Sequence, residues 1–231
     1  MARIDKRTLT KLEIIQVACK SFLENGYTDT SIKTIGKELD MSPGNVTFYF
    51  PTKEHLLAEL VELMCKFQWL RMEQEANEGN SSVMAICLEL MAMASMCETN
   101  EIARDFYLAA YTSPVCLERI RKNDAKRARE VFRPYRPDWS EAEFSEAEIL
   151  VSGMEYATLM ASGDALPLEL RIQGALDNIL GIFGVPEETR AMKLKRVLSM
   201  DYRGIGGRVF RDFKKYVEEA NEQALRELLT K

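Results

Sequence analysis

The segment from Gly26 to Leu57, GYTDTSIKTIGKELDMSPGNVTFYFPTKEHLL, admits few folds. Thr30 is placed to cap a short helix in which Ile32, Ile35 and Leu39 recur at helical spacing. Asp40 and Met41 fall where that helix has to stop. Asp tolerates a left-handed backbone better than most residues. Ser42 can cap the next helix, with Pro43 at its first position, where a missing N–H costs nothing. Thr52 then stands as the cap of a longer helix beginning at Lys53. Two short helices joined by a tight turn are the layout of a DNA-reading helix-turn-helix, whose second helix enters the major groove.

The same residues carry a family resemblance. SIKTIGKEL, MSPGNVTFYF and PTKEHLL, in that order and at that spacing, resemble the N-terminal domain of the TetR (tetracycline-repressor-like) transcriptional regulators. EIIQVACKSFLENGY resembles the first helix of that family, with Ile15, Ala18 and Phe22 toward the core and Gly26 at its end. The resemblance implies an all-α chain. Residues 1–52 would form a three-helix DNA-binding domain, and 53–231 a larger helical ligand-binding and dimerisation domain. It implies a homodimer on a pseudo-palindromic double-stranded DNA operator, most often a repressor, released by a small-molecule effector.

Carried over position by position, the resemblance assigns DNA contacts to Pro43, Gly44, Asn45, Thr47, Phe48 and Tyr49. Ser31 and Lys33 match backbone-contacting positions, and Lys53 a phosphate contact. The chemistry suits these roles. Asn can pair bidentately with adenine, and Thr or Phe can pack on a thymine methyl. Glycine lets backbones approach closely, and lysines neutralise phosphate. The chain departs from the family pattern at Pro43, often Lys or Arg, at Thr47, often Tyr, and at Asp40, usually Gly. No positive charge lies between Ser42 and Phe50, so electrostatics fall to Lys33, Lys53 and a basic arm of Arg3, Lys6 and Arg7.

Charge distribution agrees with a small head on an acidic body. Through Lys53 there are eight basic and six acidic residues, a balance of +2, so the remainder of a chain of net −5 carries −7. Hydrophobic content of 46% is that of a globular protein. The longest apolar stretch, Val83 to Cys97, is broken by Glu89 and falls short of the ~18 residues of a membrane helix. MARIDKRTLTK lacks a signal-peptide core, and the five cysteines show no metal spacing. The expectation is a cytoplasmic protein without cofactor or metal, in which the sequons at Asn45 and Asn80 are chance matches. Enzyme motifs such as HExxH, GxSxG and the P-loop are absent, and His55 is the only histidine.

Beyond the head, helices are expected over 53–76, 82–96, 100–112, 114–132, 140–162, 167–183 and 186–199. Gly204, Gly206 and Gly207 are expected to break the chain before a last helix carrying Phe210, Phe213, Val217 and Leu228. Candidate effector contacts are Met64, Phe67, Met93, Met96, Phe106, Tyr107, Tyr111, Met154 and Thr158, with two carboxylates, Glu89 and Glu155, in apolar surroundings. If buried, such a carboxylate must be paired, protonated or offered to a ligand; plain exposure is the other reading. Arg104 and Arg119 are candidate partners. The surroundings favour an apolar effector, with or without a cationic group. Gly174, Asn178 and Gly181 form a small-residue face suited to close helix approach at a dimer interface or within one subunit. The alternatives are a helical ligand-binding dimer without specific DNA binding and, more remotely, an enzyme using Glu89 or Glu155 as acid or base.

Overall fold

The computed structural model describes residues 6–77, 82–161 and 166–230. Arg3 of the basic arm, the sequon at Asn80 and the expected helix end near Ser162 lie outside them. Among the described residues there are eleven helices and no strand. They are α1 Lys6–Asn25, α2 Ile32–Glu38, α3 Pro43–Tyr49, α4 Lys53–Ala76, α5 Val83–Thr99, α6 Glu101–Thr112, α7 Pro114–Phe132, α8 Glu141–Met160, α9 Leu168–Ile182, α10 Glu187–Leu198 and α11 Tyr202–Thr230. None is long and apolar enough to cross a membrane.

Local chemistry sets most boundaries. Ser42, Ser82, Asn100 and Ser140 each accept a backbone N–H two or three residues into their helices. Ser140 and Glu143 complete a reciprocal capping box. Two expectations need correction here. The cap of α2 is Ser31, which pairs reciprocally with Thr34. Thr30 is instead buried and donates its hydroxyl to the carbonyls of Gly26 and Ser21, closing the α1–α2 turn. Thr52 sits at the cap position of α4 but makes no cap bond; its hydroxyl meets His55 Nδ1 at 3.0 Å.

α5 is the axis of the body. It is apolar nearly all round, and α4, α6, α8, α9, α10 and α11 pack against it. The glycine run does not break the chain. α11 begins at Tyr202 and passes straight through it. Asp201 accepts the Gly204 N–H at 3.0 Å and starts the helix. A Cβ on Gly206 would stand 2.7 Å from the Ala92 carbonyl oxygen and 2.9 Å from Met96 Cγ. The glycine is there because α11 lies directly on α5. α11 also reaches the head, where Asn221 donates to the Leu12 carbonyl and Lys214 pairs with Glu24 at 2.9 Å.

A pair of substitutions tests this. Gly206→Ala forces α11 off α5 and should cost about 1–3 kcal/mol, the usual range for overpacking. A Cβ on Gly207 meets nothing within 4 Å. Gly207→Ala should therefore stabilise by up to about 1 kcal/mol through helix propensity alone. Thermal melts that move both variants in the same direction would contradict the close-contact assignment.

Candidate DNA-reading head and effector cavity

In the head, α3 is held by Val46 and in part by Tyr49, and displays its other side chains. Val46 is fully buried, whereas Pro43, Gly44, Asn45, Thr47 and Phe48 are exposed and Tyr49 is half-buried. Phe48 is 67% exposed, an apolar ring with no core to enter. The turn before α3 is tight because Asp40 takes φ +53° and Met41 N–H reaches the Gly36 carbonyl at 2.8 Å. A Cβ on Gly36 would meet the Met41 oxygen at 2.7 Å, so only glycine lets α2 and α3 close on each other. Sequence reading passed over Gly36 and looked for the special turn residue at position 40 alone.

Positive charge surrounds α3 without entering it. Lys33 and Lys37 stand exposed on α2, and Ser31 is exposed at its start. The Arg7 guanidinium lies 5.4 Å from the Phe48 ring centre. Lys53 is committed inward. Its ammonium donates to the carbonyls of Tyr27 at 2.8 Å and Thr30 at 2.9 Å and sits 4.0 Å from the Tyr27 ring centre. Burial draws its pKa down. Lys53 thus clamps the α1–α2 turn to the start of α4.

The body holds a cavity between α4, α5, α6, α7 and α8. Seven of the residues singled out in the sequence line it: Met64, Glu89, Met93, Phe106, Tyr107, Tyr111 and Glu155. Four lie elsewhere. Phe67 stacks on Tyr216 of α11, Met96 touches Gly206, Thr158 donates to the Met154 carbonyl, and Met154 itself packs against the core. The free volume is about 30 Å³. A benzene-sized ligand occupies a cavity of ~150 Å³, so an effector enters only if the walls part.

Charge distinguishes this cavity from ordinary core. Glu89 pairs with Arg127 at 2.7 Å, and Arg127 also holds Asp124 at 2.6 Å while its guanidinium packs 4.6 Å from the Trp69 ring centre. Neither Arg104 nor Arg119 is the partner expected from sequence: Arg104 donates to the Met160 carbonyl and Arg119 pairs with Glu59. Tyr111 donates its hydroxyl to Glu155 at 2.9 Å, and Gln68 donates to the Tyr107 hydroxyl at 3.0 Å. Burial pushes Glu89 up to about 7 and Glu155 up to about 8, against the pull of Arg127. Asp124 and Arg127 were missed because they lie in α7, whose RIRKNDAKRARE run reads as a solvated charged face.

Among the described residues the head is thus a helix-turn-helix with its second helix outward, and the body is wholly helical with an internal cavity. Residues 14–60 match the family described as bacterial regulatory proteins, tetR family. This N-terminal segment is similar to the DNA-binding part of the TetR family of transcriptional regulators. A relative, the uncharacterized HTH-type transcriptional regulator YuxN of Bacillus subtilis (strain 168), is 35% identical over 68 residues, 29% of this chain. The chain spans 23% of the length of that relative. Among solved structures, RolR in complex with resorcinol aligns over 84% of this chain and 97% of its own, with a TM-score of 0.66 at 18% identity. FadR of Thermus thermophilus, a TetR-family transcriptional repressor in complex with lauroyl-CoA, aligns over 77% and 96%, with a TM-score of 0.56 at 17% identity. At these identities the likeness is one of fold.

The raised carboxyls set the pH dependence of stability. Glu89 and Glu155 hold their protons in the fold up to about 7 and 8, whereas unfolded they lose them near 4.5. The folded state therefore binds more protons between those limits, and stability must fall as pH rises through them. The melting temperature should drop from pH 5 to pH 8, and Glu155→Gln should shallow the slope. A slope unchanged by that substitution would contradict the shift.

Proposed function

We propose that the chain is a homodimeric TetR-type repressor that binds a pseudo-palindromic operator and releases it when a small molecule occupies the body. One observation carries this reading: α3 is anchored by buried Val46 and half-buried Tyr49 and presents Pro43, Gly44, Asn45, Thr47 and Phe48 outward. A helix of that make-up has no structural reason to keep so large an exposed ring, and base contact supplies one. Asn45 reads adenine, Thr47 and Phe48 meet thymine methyls, and Lys33 meets phosphate. The inward placement of Lys53 favours a role in holding the head rather than in binding phosphate.

The dimer surface proposed is α8 with α9. Ile149 is 53% exposed, Leu150 62% and Leu170 56%. No atom stands within 4 Å of a Cβ built on Gly153 or Gly174, so nothing within one subunit uses their small size. These residues lie on neighbouring helices and suit a second copy approaching closely, as the resemblance implies. Two heads would then sit about one DNA turn apart, ~34–36 Å.

Two elements couple cavity to head. α4 starts at the Lys53 clamp and lines the cavity with Val61, Met64 and Gln68. α6 lines it with Phe106, Tyr107 and Tyr111, and Asp105 on the same helix accepts from Thr28 N–H at 2.8 Å and from the Thr28 hydroxyl. Parting α4 from α6 must pull on the α1–α2 turn from two sides. An effector needs only about 1–3 kcal/mol of preference for the parted state. RolR is solved with resorcinol and FadR with lauroyl-CoA, so this fold accommodates dissimilar molecules. The effector class must then be read from the lining of this chain.

Asn45→Ala should weaken operator binding by about 1–3 kcal/mol and leave random DNA nearly unaffected. Equal losses on both would remove Asn45 from base recognition. Leu150→Glu should yield monomers by sedimentation and abolish operator binding, since one head contacts half a site. A Leu150→Glu dimer of normal affinity would place the interface elsewhere.

A further inference from the structure

Carboxylates outnumber cations along this cavity, and one has no partner. Glu89, Asp124 and Arg127 bound the first chamber and a second one behind it, between α5, α7, α8 and α9. Glu155 opens on both. Glu148 of α8 lines only the second, beside Val151, Ile179 and Phe183. It is 3% exposed, and its Oε2 accepts no hydrogen bond. A buried acceptor left so is costly unless a ligand completes it.

Resting on the regulator reading above, we infer that the effector is an organic amine: an apolar, aromatic-packing body in the first chamber with an ammonium group reaching Glu155 and Glu148 in the second. The walls of the first chamber, Met64, Met93, Phe106 and Tyr107, take the body, and methionine adapts to irregular shapes. An ammonium brings N–H donors to Glu148 Oε2 and charge to two chambers whose walls hold four carboxyls and the Arg127 guanidinium. An anion would meet the opposite. Arg127 is already spent on Glu89, Asp124 and the Trp69 face. A neutral donor would meet Glu148 Oε2 but bring no charge to offset the excess of carboxyls. A metal ion fits poorly, since among the described residues no three His, Cys, Asp or Glu side chains gather as a metal set. Carboxylates strung along two chambers suit an extended organic cation.

Binding should expel protons. The groups facing Glu148 and Glu155 are Arg127, Asp124 and Arg121 of α7, Glu89 of α5 and Tyr111 of α6; Arg121 is turned to Ser152. Burial and the neighbouring carboxylates hold Glu148 well above the usual range and Glu155 near 8. These groups titrate as one cluster. An ammonium displaces a proton from it, so amine affinity should rise with pH, by up to about tenfold per unit for each proton released.

The test is calorimetric titration of the full chain at pH 6, 7 and 8 with phenylalkylamines of increasing length and their matching alcohols and carboxylates. Amines should bind at least tenfold tighter than the alcohols at pH 8, with proton release seen in buffers of different ionisation enthalpy. Glu148→Gln should cost the amines roughly ten- to hundredfold, the worth of one charge-assisted hydrogen bond, and leave the alcohols unchanged. Should Glu148→Gln fail to fold, Glu155→Gln carries the same comparison. Alcohols or carboxylates binding as well as amines, a series in which nothing binds, or an amine preference surviving both substitutions would overturn the inference. Ligand-free binding to DNA flanking the gene, measured in parallel, separates the two ideas. Its loss refutes the regulator and spares the amine site, and its retention with an unselective cavity does the reverse.

Discussion

Burying Arg127 between Glu89 and Asp124 is the commitment around which the body is arranged. Taking three charges out of water costs several kcal/mol per ion before pairing offsets it, and an apolar replacement is often no less stable. Stability alone therefore gives little reason for the group. It fixes α7 against α5, defines the wall shared by two chambers, and holds Glu155 and Glu148 in a field that keeps their protons on. Bringing an ammonium there exchanges protons held by burial for the charge of a ligand.

The same arrangement explains how a change in the body can be felt in the head. The helices that wall the cavity are the helices that grip the α1–α2 turn: α4 through Lys53 and α6 through Asp105. The contacts are short, those of Lys53 are partly buried, and all converge on the backbone of residues 27–30. α11 braces α1 from the opposite side through Asn221 and Lys214. A head held at three places has few intermediate positions, which favours switching between discrete arrangements over gradual drift.

Much of this was legible in the sequence, and the failures are instructive. The cap at Ser42 and the left-handed Asp40 were readable because each is decided within four residues. The apolar neighbours of Glu89 were visible in the sequence, but its burial was settled only by α5 being covered on every side. Its partner was not visible, because ion pairing between helices has no local signature; Arg127 sits in a run of like residues that are mostly half-exposed or exposed. The glycines of α11 misled for the same reason. Glycine weakens a helix in isolation, and only the position of α5 shows why Gly206 is needed there. Glu148 escaped notice because it closes an acidic run with Glu141, Glu143 and Glu146 that reads as a solvated face.

The central claim is that two outward-facing α3 helices of a dimer read DNA. Footprinting on DNA flanking the gene tests it most directly. The account predicts two protected half-sites on one face of the duplex, centred about 10–10.5 base pairs apart, with protection lost when Asn45 is replaced by alanine. Uniform weak protection that follows salt concentration but no sequence, unchanged by that substitution, would contradict it.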